Sequence, residues 1–185
     1  MTTFQEIRWH GRGGQGVVTA SRLLASAALT EMKYVQAFPE FGPERSGAPI
    51  LGFTRISDSP IEVHSQIYSP DIVVVLDPTL MNSEVTRGMK ERGKLVVNSP
   101  MSPGEIKKIA ARGDIHVYSV DGTRIAIDTT GRPIANIAML GALVRATSLV
   151  SIQSLMKVTS ERFGGSAASR NIKAIERAAE EVRGE

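Results

Sequence analysis

Gly11, Gly13 and Gly16 satisfy the spacing G-x-G-x-x-G, with Arg12, Gly14 and Gln15 between them. Glycines at that spacing allow a tight turn and let an anionic group reach the backbone N–H donors at a helix start. Arg12 adds a guanidinium suited to a phosphate or to a partner's carboxylate. A dinucleotide site would add an acid at the end of the second strand, about 20 residues on, to hold the ribose. The acid in that region is Glu40, but it follows Pro39 in Phe38-Pro39-Glu40-Phe41-Gly42-Pro43, a rigid loop in place of a strand end. An anion-binding turn and a purely structural turn therefore both stay open. A second cluster is the loop from Pro39 to Pro49, where prolines and glycines fix the backbone around Glu40, Glu44, Arg45 and Gly47. Stiff loops carrying charge serve recognition or plain turning. Asn136 opens an otherwise apolar run; if buried it must cap or bond backbone, and contact with a substrate is the alternative. No side chain is assigned as a catalytic acid, base or nucleophile.

The composition narrows the chemistry. The 185 residues contain no cysteine, so the chain offers neither disulfide nor thiolate for an iron–sulfur cluster. His10, His64 and His116 lie in separate segments without metal-pair spacing. The net charge of +3 is spread along the chain with no basic run interleaved with aromatics, which argues against nucleic acid. No signal peptide and no apolar run of roughly 20 residues is visible, so a cytoplasmic protein without membrane contact is expected.

These groups need elements to hold them. Phe4, Ile7 and Trp9 alternate as a first strand, and Val17 to Thr30 follows as a helix. Tyr34 to Phe38 reads as a second strand. Ile50–Ile56 and Ile61–Ile67, separated by Ser57-Asp58-Ser59-Pro60, read as an antiparallel hairpin. Asp71 to Leu76 is apolar enough for a central parallel strand. A helix marked by Leu80, Met81, Val85 and Met89 comes next, closed near Gly93, then a strand at Lys94–Asn98. A helix around Ile106–Ala110 and a strand at His116–Val120 continue the alternation. Helices are expected at Asp121–Thr129, Ile134–Ala146, Ser151–Phe163 and around Ile172–Val182. The Ile134–Ala146 helix is apolar nearly all round, so it is buried on several sides or lies between subunits. The expectation is one α/β domain over residues 1–185: a mixed, mainly parallel sheet with helices on both faces and a β-hairpin insertion.

Several of these stretches, in order, resemble one family. They are His10-Gly11-Arg12-Gly13-Gly14-Gln15-Gly16, the loop Ala37 to Pro49, Asp77-Pro78-Thr79-Leu80, Gly131-Arg132-Pro133 and Asn136 to Ala142. Together they are similar to the gamma subunit of pyruvate or 2-oxoisovalerate ferredoxin oxidoreductases, and the likeness runs over nearly the whole chain. The pattern departs at Ser46, before Gly47. The resemblance implies a pyruvate synthase-type complex (EC 1.2.7.-, with 1.2.7.1 favoured) that converts a 2-oxoacid, coenzyme A and oxidised ferredoxin to acyl-CoA, CO2 and reduced ferredoxin. It further implies thiamine diphosphate, Mg2+ and 4Fe–4S clusters held on alpha, beta and delta partners, with ferredoxin as acceptor of the complex. The gamma chain itself would be non-catalytic, inactive alone, and would pack on its partners and help enclose coenzyme A. On that view the Gly11–Gly16 loop and Asn136 face an interface or a CoA phosphate, and Glu44, Arg45 and Gly47 sit at subunit or substrate contacts. The small subunit of an indolepyruvate or 2-oxoglutarate enzyme, and a stand-alone dinucleotide-binding protein, are the alternatives.

Overall fold

The computed structural model describes residues 4–40 and 47–185. Seven strands form one sheet, in the order β2-β3-β1-β4-β5-β6-β7. They are β1 (Phe4–Arg12), β2 (Tyr34–Pro39), β3 (Pro49–Ser57), β4 (Ile72–Val75), β5 (Lys94–Asn98), β6 (His116–Val120) and β7 (Arg183–Gly184). β1, β4, β5 and β6 run parallel to one another; β3 is antiparallel to β1 and β2, and β7 to β6. The helices are α1 (Val17–Thr30), α2 (Pro103–Ala110), α3 (Gly122–Thr130), α4 (Asn136–Thr147), α5 (Ile152–Phe163) and α6 (Gly165–Glu181).

Alternation within the strands divides the core into two. One cluster joins Ile7, Trp9, Ile72, Val74, Val96 and Val120 to α1, α4, α5 and α6. The other joins Val73, Val75, Leu95, Val97 and Val117 to Ile106 and Ala110 of α2, with Val85 and Met89. Every residue of β4 is buried, as its unbroken apolar run requires of a strand covered on both sides. The mixed α/β sheet with helices on both faces is thus present, though one face carries far more helix than the other. Residues Asn136 to Val144 of α4 are all buried. The close neighbour implied by its small residues is α6 of the same chain: a Cβ on Gly141 would lie 2.3 Å from the carbonyl oxygen of Ile175.

Two expectations need correction. The antiparallel insertion exists, but its strands are β2 and β3, and Ile61–Ile67 is not a strand. β3 already has β1 on one edge and β2 on the other, which leaves no backbone donors or acceptors for a third partner. The segment is held instead by the buried guanidinium of Arg55, which donates to the carbonyls of Val63, at 3.3 Å, and Ser65, at 2.8 Å. The expected helix over Leu80–Met89 is replaced by two 3-10 turns, Pro78–Leu80 and Ser83–Thr86. The Asp77 and Asn82 side chains accept from Thr79 and Glu84 N–H groups, and these local bonds compete with a continuous helix.

Candidate functional site

The carboxyl ends of β1 and β4 meet where the chain order reverses, the place where open α/β sheets usually bind ligands. Here that crevice is filled by side chains. Arg12 N–H donates to Gln15 Oε1 at 2.8 Å, and Gln15 Nε2 donates to Asp77 Oδ2 at 2.6 Å. Arg12 Nε pairs with the same Asp77 oxygen at 3.2 Å. The two other nitrogens of the guanidinium donate to Gly47 O, at 3.1 Å, and Thr79 Oγ1, at 3.0 Å. Thr79 in turn donates to Asp77 through both its N–H and its hydroxyl. Burial works to raise the Asp77 carboxyl, but the Thr79 and Gln15 donors and the Arg12 charge together hold it below its usual range. Backbone bonds complete the lock: Gly13 N–H donates to Ala48 O at 2.9 Å and Gly47 N–H to Gly13 O at 3.2 Å.

Arg12 is therefore a brace across the ends of three segments, with its side chain one-third exposed and each nitrogen engaged. Sequence reasoning saw Asp77-Pro78 only as a strand end and a family motif. An aspartate capping a turn after a buried strand, opposite an arginine in the glycine loop, was the signal available.

The opposite flank of the glycine turn is open. Gly16 has φ +78 and caps α1 without a side chain. Its carbonyl accepts from Asn136 Nδ2 at 3.3 Å, while Asn136 Oδ1 accepts from Ile137 N–H at 2.9 Å. Asn136, buried at the start of α4, thus joins two helix starts, as its backbone-bonding reading required. A cavity of about 650 Å³ begins here, bounded by Gly14, Gly16 and Asn136 and by residues of α3, α5, α6 and the α3–α4 loop. The structure thus brings together Gly11, Arg12, Gly13, Gly14, Gln15, Gly16, Gly47 and Asn136. Glu44 and Arg45 lie outside the described residues. Glu40 is exposed at the end of β2. Because β3 is inserted, β2 lies two strand positions, roughly 10 Å, from β1. A ribose held beside the glycine turn would be out of Glu40's usual reach, which counts against the dinucleotide alternative.

His10, on the other face of β1, is a neutral acceptor. Arg8 Nε donates to its Nε2 at 3.1 Å, and burial followed by the Arg8 charge lowers its pKa from 6.5 to about 4. Among the described residues no group of His, Cys, Asp and Glu is arranged to hold a metal ion, and no helix is long and apolar enough to cross a membrane.

Comparison with known proteins places this geometry. The family described as pyruvate ferredoxin/flavodoxin oxidoreductase matches residues 6–181. The common subunit gamma of the pyruvate/ketoisovalerate oxidoreductases of Thermococcus kodakarensis is 50% identical over 174 residues, 94% of each chain. The crystal structure of the pyruvate oxidoreductase subunit PORC (EC 1.2.7.1) of Thermotoga maritima superimposes with a TM-score of 0.89 at 40% identity, covering 98% of both chains. A 2-oxoglutarate:ferredoxin oxidoreductase from Magnetococcus marinus, with coenzyme A bound, shares the fold over 95% of this chain and 30% of its own, at 21% identity and a TM-score of 0.75.

Proposed function

The chain belongs to the pyruvate ferredoxin/flavodoxin oxidoreductase family, and from that membership we propose that it is the gamma subunit of a pyruvate synthase-type 2-oxoacid:ferredoxin oxidoreductase. The complex would cleave the bond between the carboxylate and carbonyl carbons of a 2-oxoacid, release CO2, pass two electrons to ferredoxin and join the acyl group to the coenzyme A sulfur. The observation that carries the reading is the end-to-end match at 50% identity with a common gamma subunit.

The division of labour follows from the residues. With no cysteine, this chain supplies no thiolate to a cluster, so 4Fe–4S centres belong to partner chains. Thiamine diphosphate and Mg2+ are assigned to partners as well, as the family resemblance implies. Alpha, beta and delta chains would form the rest of the complex, in the cytoplasm. The chain acts as one gamma-type domain, a reading supported by its single sheet. Its own contribution is to close over coenzyme A. Gly14, Gly16 and Asn136 line the open cavity beside the starts of α1 and α4, and the brace among Arg12, Gln15, Gly47 and Asp77 keeps the turn in shape. Glu44 and Arg45 are assigned to subunit or substrate-side contacts.

An anoxic pull-down of the tagged chain from its host tests this. Recovery of a thiamine-binding pair, a cysteine-rich ferredoxin-like chain and CoA-dependent 2-oxoacid oxidation is expected, and assays on that material identify the 2-oxoacid. Recovery of the chain alone, or 2-oxoacid-dependent dye reduction by the isolated chain, would refute it.

A further inference from the structure

Two arginines are buried among the described residues, and only one has an acid beside it. Arg55, 1% exposed, pairs with Glu6 at 3.0 Å. Arg8, 8% exposed, has no carboxylate partner among the described residues. Its donors go to neutral acceptors instead. Nε donates to His10 Nε2 at 3.1 Å, and Nη2 donates to the carbonyls of Val85, at 3.0 Å, and Arg87, at 2.7 Å. Both hydrogens of Nη1 are left unused. Because Nε2 of the neutral His10 ring accepts, the ring's proton lies on Nδ1, which also lacks an acceptor among the described residues. Neither nitrogen is sealed from solvent, since Thr159 Oγ1 is the one fully buried side-chain nitrogen or oxygen without a partner among those residues. A buried cation among neutral groups is costly, and a carboxylate removes that cost.

Arg8 and His10 line an open cavity of about 370 Å³, together with Leu51, Tyr68, Glu84 and Arg87. Glu84 and Arg87 are both exposed and pair with each other at 3.4 Å, so the uncompensated charge of the cavity is that of Arg8. Its apolar surface is exposed as well: Tyr68 is 70% exposed. On this side of the sheet β1 and β3 contribute no residue to the cluster built on α2. The surface around Arg8 is therefore a stretch of sheet that the chain leaves uncovered, with a fixed cation in its floor.

Resting on the subunit role proposed above, we propose that this cavity is a socket for an acidic side chain of a partner subunit. The partner's carboxylate takes the Nη1 hydrogens of Arg8, and the surface around that acid covers Leu51 and Tyr68. A free organic acid would gain only a few hydrogen bonds that water already offers it. An acid carried on a partner arrives with apolar area that excludes water from the pair, which is what makes such a contact strong.

Three measurements test the socket. In the assembled oxidoreductase, Arg8→Lys keeps the charge and supplies an amine that carbodiimide joins to a carboxylate touching it. Mass spectrometry should find residue 8 linked to an aspartate or glutamate of a partner chain. A link only to an acid of its own chain, or no link, would overturn the socket. Tyr68→Glu places a competing carboxylate on the cavity without removing any Arg8 hydrogen bond, and should weaken assembly roughly tenfold in a subunit titration. Tyr68→Gln should weaken it far less; equal losses would mean packing alone and would overturn the charge pairing. Propionate added to the isolated chain should leave the His10 ring resonances in place, and a saturable shift would assign the site to a free acid instead. Failure of the wild type to recover any partner sinks the subunit role itself. Normal assembly of Tyr68→Glu sinks the socket alone.

Discussion

Gly16→Ala tests the joint between the glycine turn and α4. The residue sits at φ +78, where a side chain is strained, and its new Cβ would lie 2.2 Å from Asn136 Nδ2 and 2.9 Å from Cγ. Gly14 provides a control: its φ is +92, and a Cβ there meets nothing within 4 Å. Gly14→Ala should therefore cost only the left-handed backbone penalty, about 1–2 kcal/mol. Gly16→Ala carries that penalty and also displaces Asn136, breaking its bonds to Gly16 O and Ile137 N–H. Loss of a buried amide's partners adds about 1–3 kcal/mol, for a total of about 2–5 kcal/mol. Asn136→Ala alone removes the same bonds but leaves space for the new methyl. In that background Gly16→Ala should revert to the cost seen at Gly14, a coupling of about 1–3 kcal/mol in a double-mutant cycle. Urea unfolding followed through Trp9, which is fully buried, reads the wild type and all the variants. Equal costs at Gly14 and Gly16, or additive behaviour of the double variant, would refute the joint.

Three further outcomes follow from the packing. His10 is held neutral, with its pKa lowered from 6.5 to about 4, so the unfolded chain binds the extra proton first and stability should decline as pH falls from 6.5 toward 4. His10→Gln keeps an acceptor for Arg8 and should flatten that slope in unfolding midpoints measured across the window. Gly141→Ala drives a methyl against the Ile175 carbonyl at 2.3 Å and should cost about 1–3 kcal/mol, with faster amide exchange in α6 as its local signature. Arg55→Met leaves Glu6 without its 3.0 Å partner and releases the carbonyls of Val63 and Ser65. Limited proteolysis should then cut within 58–69 at protease levels that spare the wild type.

Much of the fold was legible because its strands announce their burial. The run at Ile72–Val75 could only be a strand covered on both faces, and the glycine turn lies between a strand and a helix as its residues imply. What misled was β-type composition in Ile61–Ile67. That pattern records apolar surface against a neighbour, and only the pairing of β3 with β1 and β2 shows that no edge was left for it. Leu80–Met89 failed for a local reason, since Met81 and Asn82 are extended between the two turns and Asn82 caps the start of a new one by accepting from Glu84 N–H. At the site, the spacing of Gly11, Gly13 and Gly16 gave the turn but not its contents. Arg12 looked like a free cation, and its engagement by Asp77 and Thr79 depends on contacts 65–67 residues along the chain.

The placement of β1 also dictates when the protein can fold. Its two neighbours are residues 49–57 and 72–75, so the strand made first stays without either hydrogen-bonded edge until both have emerged from the ribosome. The helix after it waits longer, because Glu31 at its end accepts the N–H of Ser151 and its apolar side shares a cluster with Leu155 and Ile175. Such long-range closure makes for slow folding. A nascent chain that ends before Ile72 leaves β1 with an open edge, and one that ends before Asn136 leaves the carbonyl of Gly16 without its partner, and such exposed groups are sticky to other chains. The glycine turn therefore receives its last support late in synthesis, when Asn136 reaches the carbonyl of Gly16.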